Sequence, residues 1–313
     1  MSRLRVGMGL CLPLVVLLSA GTGKATAAEA YTWTEIVIPN AMVANASGLN
    51  DLGQVAIIDV TGTVSGIYQN GRFTRLPNPP AGFQVGAYGI NVAGTIVGFA
   101  TTTSDSHEQA FILRHGQYRF FSRSGWQNTA ARAIGPSGLV VGINYSDDQS
   151  QWAGFVYDPS TGTFRDVTPS GSIYTIVQGI NKLGQISGSG QDDSMGPDAL
   201  GRYAFIWQQS ASGNGAPVPF IERIKVPDGF ATNARGINDD GVITGWARSG
   251  VLTVGFVGSA SQGYQLLVPP AGNVPGTSSF CQGINNARQV SCVVQDANGP
   301  VAAYLGSPTG SEQ

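Results

Sequence analysis

One short motif recurs six times along this chain, and its spacing limits the folds open to the chain. The clearest copies are Gly48-Leu49-Asn50-Asp51-Leu52-Gly53, Gly89-Ile90-Asn91-Val92-Ala93-Gly94, Gly179-Ile180-Asn181-Lys182-Leu183-Gly184 and Gly236-Ile237-Asn238-Asp239-Asp240-Gly241. Two eroded copies complete the set, Ala133-Ile134-Gly135-Pro136-Ser137-Gly138 and Gly283-Ile284-Asn285-Asn286-Ala287-Arg288. The motif starts at 48, 89, 133, 179, 236 and 283, so the steps are 41, 44, 46, 57 and 47 residues. Short apolar runs and glycine turns at a period in the forties are the pattern of a radial or stacked β array.

The second copy shows the repeating unit most plainly. A run ending at Asn91 (strand A) meets Asn-x-x-Gly and returns over Thr95 to Ala100 (strand B). Asn at the first and Gly at the fourth position suit a type I turn closed by a glycine of positive φ. A polar loop, Thr101 to Gln109, leads to Ala110-Phe111-Ile112-Leu113 (strand C), and His115-Gly116 turns the chain into Tyr118 to Phe121 (strand D). Strand C returns as Gly66-Ile67-Tyr68, Gly154-Phe155-Val156-Tyr157, Ala204-Phe205-Ile206-Trp207, Gly255-Phe256-Val257 and Ala303-Tyr304-Leu305. The sixth copy has no strand D, whereas an unmatched strand with that pattern, Thr32 to Pro39, precedes the first copy. An N-terminal strand that completes the last blade closes a ring and removes the edges a linear array keeps exposed. The expected fold is therefore all-β: a six-bladed β-propeller of four-stranded antiparallel blades over residues 31–306, with a disordered tail at 307–313.

The pattern Gly-Ile-Asn-x-x-Gly-x-Ile/Val-x-Gly followed by Ala/Gly-Phe-x-Trp/Tyr resembles the bacterial extracellular HAF repeats, named for a His-Ala-Phe motif. The likeness spans nearly all of the chain after residue 30. The naming histidine is absent: Gln109, Ala153, Tyr203 and Val254 stand before the Ala/Gly-Phe pairs. The resemblance implies an exported repeat protein and transfers no catalytic residue.

The first residues agree with export. Arg3 and Arg5 precede an apolar run from Val6 to Ala20, and Ala25-Thr26-Ala27 offers a cleavage site. This reads as a secretory signal over 1–27, with Ala28-Glu29-Ala30 as a second site. The run is too short and too broken by Gly and Pro for a membrane span. Without Arg3, Arg5 and Lys24 the 17 basic residues become 14 against 19 acids, a net charge of −5. Nucleic acid and anionic membrane surfaces call for a basic face, so neither is an expected partner. Low charge (12%), 44 glycines and 17 prolines fit a dense β fold with tight turns. Cys11 leaves with the leader, and Cys281 and Cys292 flank the sixth motif. A two-residue turn at Asn286-Ala287 would set them opposite each other, whereas a bulged turn would slip the register and part them. With no other thiol to compete, a structural disulfide is expected in an oxidising compartment.

The residue before each motif carries the functional expectation. Its occupants are Ser47, Tyr88, Arg132, Gln178, Arg235 and Gln282, all polar; the residues one earlier, Ala46, Ala87, Ala131, Val177, Ala234 and Cys281, are small or apolar. Such a contrast, repeated in the innermost strand, turns one set toward blade packing and the other toward the axial channel. The channel is either a solvated lining or a ligand-binding funnel in which Arg132 and Arg235 clamp a carboxylate or sulfate. Loop acids Asp105, Asp147, Asp148, Asp192, Asp193 and Asp296 read first as turn residues; their use as Ca2+ ligands is the second reading, because no spacing resembles a calcium loop. His107 and His115 fall in loops at opposite ends of a propeller and should not form a shared site. Trp126 and Trp152 are candidate sugar platforms on the D–A and B–C loop face, against burial as anchors.

Two function classes follow. One is an exported binding or scaffolding propeller, extracellular or periplasmic, monomeric, without a cofactor, whose funnel and loop face take a glycan, peptide or cell-envelope component, the ligand being an acidic glycan or small anion. The other is a propeller hydrolase or lyase acting on polysaccharide with loop carboxylates as acid and base. A loop acid buried in the funnel beside Arg132 or Arg235 is the observation that separates them.

Overall fold

The structure is a computed structural model that describes residues 29–310 except 60, 103, 105, 170, 193–201, 209–221, 225–231 and 250–251, together with Leu17–Leu18. The remaining residues of the expected 1–27 leader, along with Asp105, Asp193 and 311–313, lie outside the described residues.

Six antiparallel sheets are arranged as propeller blades, each with strand order A-B-C-D from the centre outward. The A strands are Val43–Leu49, Phe83–Ile90, Asn128–Ile134, Ser172–Ile180, Thr232–Ile237 and Ser278–Ile284. The N-terminal strand Tyr31–Glu35 takes the D position of blade 6, with Tyr31 opposite Pro308 and Glu35 opposite Tyr304. Ring closure is therefore made by the two ends of the chain, as the missing sixth strand D implies. The last strand, Gly299–Pro308, runs two residues past the boundary expected at 306, because Ser307 and Pro308 still face Thr32 and Tyr31. A two-residue strand, Leu17–Leu18, borders the outer edge of blade 5 opposite Gln265 and Tyr264.

The two halves of the repeat motif fit each other inside blades 2 to 5. Phe111, Phe155, Phe205 and Phe256 of the C strands are fully buried. Their cross-strand partners are Gly98, Gly142, Gly188 and Gly245 of the B strands. A Cβ on Gly98, Gly142 or Gly188 would lie 2.9, 2.8 or 2.7 Å from the facing ring. The glycine is thus the hole and the phenylalanine the knob, and each ring contributes about 1.5–3 kcal/mol of burial. Blade 1 inverts the arrangement, with Gly66 in strand C opposite Ile57 in strand B.

Each A–B turn has the expected geometry. In the first, the Gly53 N–H donates to the Asn50 carbonyl at 3.0 Å. Gly53, Gly94, Gly138, Gly184 and Gly241 all have φ between 71 and 86°. In blade 6 Arg288 holds the same left-handed position, with φ 59°.

Blade 6 combines the two outcomes foreseen for its cysteines. Its turn is the longer one: Ile284 opposes Val290 and Gly283 opposes Ser291, a register that by itself would part the thiols. Gln282 then bulges out of the ladder, the register shifts by one, and Cys281 comes opposite Cys292, where the disulfide forms. The same register shift occurs in every blade, at Tyr88, Arg132, Gln178 and Arg235, and at Ser47 with Gly48 in blade 1.

Candidate ligand site on the propeller axis

The six bulged residues are the six polar positions singled out in the sequence. A bulge turns its extra residue away from the pleat and increases the local twist, and here it turns all six into one axial cavity. Ser47, Tyr88, Arg132, Gln178, Arg235 and Gln282 line a space of about 600 Å3, which includes solvent at its mouth. The residues immediately before them are wholly buried between blades. The residues immediately after them are glycine in five blades because the inner strands touch there. A Cβ on Gly48 would sit 2.7 Å from the Gly89 Cα, and one on Gly283 would sit 2.2 Å from the Ser47 carbonyl. Blade 3 carries Ala133 at this place, and a Cβ on Gly89 would still sit 2.9 Å from the Ala133 Cα. Sequence alternation thus located the channel lining, but the physical agent is the bulge.

The motif asparagines have a role that the sequence did not reveal. Each Oδ1 accepts N–H groups of its own turn, as Asn50 does from Leu52 and Gln54, both at 3.0 Å. Each Nδ2 donates to the equivalent carbonyl of the next blade. Asn50 reaches the Asn91 carbonyl at 3.0 Å, Asn91 the Gly135 carbonyl at 3.3 Å, and Asn181 the Asn238 carbonyl at 2.9 Å. Asn238 reaches the Asn285 carbonyl at 3.3 Å, and Asn285 returns to the Asn50 carbonyl at 3.2 Å. One link is missing, from blade 3 to blade 4, where Gly135 has no side chain to offer. An outer arc reinforces blades 4, 5, 6 and 1: Lys182 to Asp239, Asp239 to Asn286, and Asn286 to Asp51.

Charge at the axis is uneven. The Arg132 guanidinium carbon lies 4.1 Å from the centre of the Tyr88 ring. Burial opposes its charge, but Tyr88 and Glu108 outweigh that and raise its pKa above the ordinary arginine value. Arg235 is pushed down to about 10, first by desolvation and then by Arg132, with Arg202 adding to the effect. Arg202 opens strand C of blade 4, and its guanidinium carbon lies 4.8 Å from the centre of the Tyr174 ring. Burial raises the Tyr174 phenol, against the pull of Arg202, Arg235 and Arg132. The Nε atoms of Arg132, Arg202 and Arg235 are all buried without a hydrogen-bond acceptor.

Glu108, in the B–C loop of blade 2, is an acid whose charge acts on Arg132. The Tyr145 hydroxyl donates to its carboxylate, and burial followed by the Glu108 charge raises the Tyr145 pKa. The Glu108 Oε2 is buried and has no hydrogen bond. The Glu108 backbone is pinned on both sides, its N–H to Asn128 Oδ1 at 2.8 Å and its carbonyl to the Thr129 N–H at 2.9 Å. Sequence reading passed over Glu108, Tyr145, Tyr174 and Arg202 because they stand at strand ends and loops outside the repeated motif.

The other sequence candidates are used locally. Asp148 accepts from the Ser146 hydroxyl and from the Ser150 N–H and hydroxyl, and these bonds hold its carboxyl near 2. Asp296 accepts from the Asn298 N–H at 2.7 Å. Asp147 pairs with His107 at 2.9 Å, whereas His115 sits in the C–D turn of blade 2 with φ 50°. No group of three metal-capable side chains occurs among the described residues. Trp152 is stacked on Tyr145 at 4.8 Å and tilted against Tyr174 at 5.3 Å, so neighbouring rings occupy the faces a sugar would need.

Comparison with known protein families finds no match, and comparison with curated proteins finds none. Solved structures do match. A candidate gluconolactonase is 11% identical with a TM-score of 0.53, covering 89% of this chain and 92% of that one. TolB from Acinetobacter baumannii is 12% identical with a TM-score of 0.51, covering 74% of this chain and 55% of TolB. The PQQ-bound aldose sugar dehydrogenase from Streptomyces coelicolor is 13% identical with a TM-score of 0.50, covering 90% and 99%. At these identities the likeness establishes the fold alone: the chain is a β-propeller.

Proposed function

We propose that this chain is an exported binding propeller whose axial funnel takes an acidic ligand, a small anion or an acidic sugar unit. The observation that carries this reading is the pair Arg132 and Arg235, from non-adjacent blades, both lining one cavity with unpartnered Nε atoms. Two like charges held in a partly dry site cost free energy that an anion between them would offset through charge-assisted hydrogen bonds. Export rests on the leader-like first residues and on a disulfide of the kind that persists outside the cytoplasm. No helix among the described residues is long and apolar enough to cross a membrane.

Glu108 supports the second reading, a hydrolase or lyase, because it is a loop acid within the field of Arg132. Binding is preferred because glycoside hydrolysis generally uses two carboxyl groups across the scissile bond, and Glu108 is the one acid acting on this group among the described residues. Glucuronate titrated into the intact protein at low salt tests the reading. We expect weak binding that falls as salt rises and is lost when Arg132 and Arg235 are both changed to Met. Binding that survives the double substitution, or no binding by the parent, would remove the axial site from consideration.

A further inference from the structure

The anion-binding reading above accounts for the two arginines of the funnel and leaves the opposite wall unexplained. The asparagine clasps pass from each blade to the next in chain order, so the ring runs 1 to 6 and closes. In such a ring blade 1 stands across the axis from blade 4, and blades 3 and 5 flank blade 4. Arg132 and Arg235 therefore enter from one half of the funnel, and Ser47 of blade 1 enters from the other. Asn45, two residues earlier on the same strand, also lines the cavity. Gly86, Ala130, Ile176, Asn233 and Phe280 hold its place in the other blades, and none of these five lines the cavity.

The Asn45 Oδ1 and the Ser47 Oγ are buried without a hydrogen-bond partner, as are the Nε atoms of the two arginines. An unpaired buried oxygen costs free energy that a ligand donor would recover. The wall of blade 1 thus calls for a donor, and the arginines across from it call for an acid. An ammonium group could donate, but the lining holds two guanidinium groups and no carboxylate, so a further positive charge would be repelled. A hydroxyl donates without charge and also accepts, which suits an amide oxygen beside a serine hydroxyl. Gln178 and Gln282, on blades 4 and 6, add the same neutral, two-way chemistry to the lining. We propose that the funnel selects a hydroxylated carboxylate, a sugar acid, with its acid group on Arg132 and Arg235 and a hydroxyl on Asn45 and Ser47, Asn45 setting the preference over acids without hydroxyls. The proposal rests on the anion-binding reading and adds a claim that can fail alone.

The test keeps the carboxylate and changes what it is attached to. Glucuronate, cyclohexanecarboxylate, trans-4-aminocyclohexanecarboxylate and N-acetylalanine are titrated into the intact protein by calorimetry at one low ionic strength. The second has the ring without hydroxyls, the third places an ammonium group opposite the acid, and the fourth mimics a peptide carboxyl end. Glucuronate should bind at least about ten-fold more tightly than each of the others. Asn45→Leu, which keeps the bulk and removes the amide, should weaken glucuronate about ten-fold and cyclohexanecarboxylate by less than about two-fold. Ser47→Ala, a smaller change, should act in the same direction by about three-fold. Unchanged or raised melting temperatures show that both variants are folded. If any of the other three acids binds as tightly as glucuronate, or if the glucuronate margin survives both substitutions, the hydroxyl wall is wrong and the anion site stands without it. If none of the four binds, the anion-binding reading falls and this inference falls with it.

Discussion

Arg235 is a residue whose cost to the fold exceeds its structural return. Burial and the neighbouring Arg132 charge hold its pKa down near 10. In the unfolded chain an arginine keeps its proton well above that pH, so between about 10 and the ordinary arginine range the unfolded state binds more protons and native stability rises with pH. Below about 10 the penalty is fully present. Arg235→Met keeps most of the bulk and removes the charge, so the ligand-free protein should melt at a higher temperature, with a gain on the order of 1–3 kcal/mol. Differential scanning calorimetry at neutral pH without multivalent anions checks this. A lower melting temperature for the variant would mean that Arg235 has a compensating partner and that the cavity is not poised for an anion.

At the scale of the element, the asparagine turn closes its own hairpin and also clasps the next blade. The clasp fails at Gly135, yet the turn there has the same backbone bonds as its sisters, with the Gly138 N–H donating to the Gly135 carbonyl at 3.0 Å. A Cβ on Gly135 would meet only the Ile180 side chain, at 3.4 Å or more, which is ordinary contact. Gly135→Asn should therefore restore both the Oδ1 acceptor for the turn and the Nδ2 donor toward the Asn181 carbonyl. We expect a stabilisation of about 1 kcal/mol, from one or two hydrogen bonds and a stiffer unfolded chain. Urea unfolding with an unchanged m-value would confirm it; a destabilised variant would show that the interblade bond does not carry over to blade 3.

For the whole molecule, everything depends on closing the ring between blades 6 and 1. Near the axis the Asn285 bond to the Asn50 carbonyl, the Ser291 hydroxyl on the Ser47 carbonyl and the Asn286 bonds to Asp51 join the blades, and at the rim the N-terminal strand lies on Gly299–Pro308. The segment just before that strand is also fastened. The Glu29 N–H and carbonyl pair with the Gln265 side chain, both at 2.7 Å, and its carboxylate meets Arg288 at 3.2 Å. That contact gives Arg288 a reason to hold a left-handed position where the other blades use glycine. Removing residues 29–35 should lower stability by several kcal/mol, a large part of what a domain has. It should also bare the long edge strand Gly299–Pro308 and promote association. Thermal melts and light scattering on the truncated protein measure both effects, and a truncated protein as stable and monomeric as the parent would show that the ring closes without the strand.

How much of this was legible beforehand follows from where each piece of information lies. Motif spacing, the Asn-x-x-Gly turns and the orphan first strand are local features, and they carried the blade count, the strand order and the closure. The six channel residues were also legible, because a repeat samples one position six times and exposes its chemistry. The bulge behind them was not, since a one-residue slip leaves no mark in composition and shows only when Gly283 faces Ser291 while Cys281 faces Cys292. Nor could the sequence join Arg132, Tyr174, Arg202 and Arg235, or set Glu108 beside Tyr145. Tyr174 and Arg202 share blade 4, but Arg132, Arg235 and Glu108 come from other blades, and all of them lie tens of residues apart. Their meeting depends on the angle at which whole sheets pack around the axis, and that angle is set by the buried phenylalanines and the touching glycines together, a property of the closed ring that no single repeat encodes.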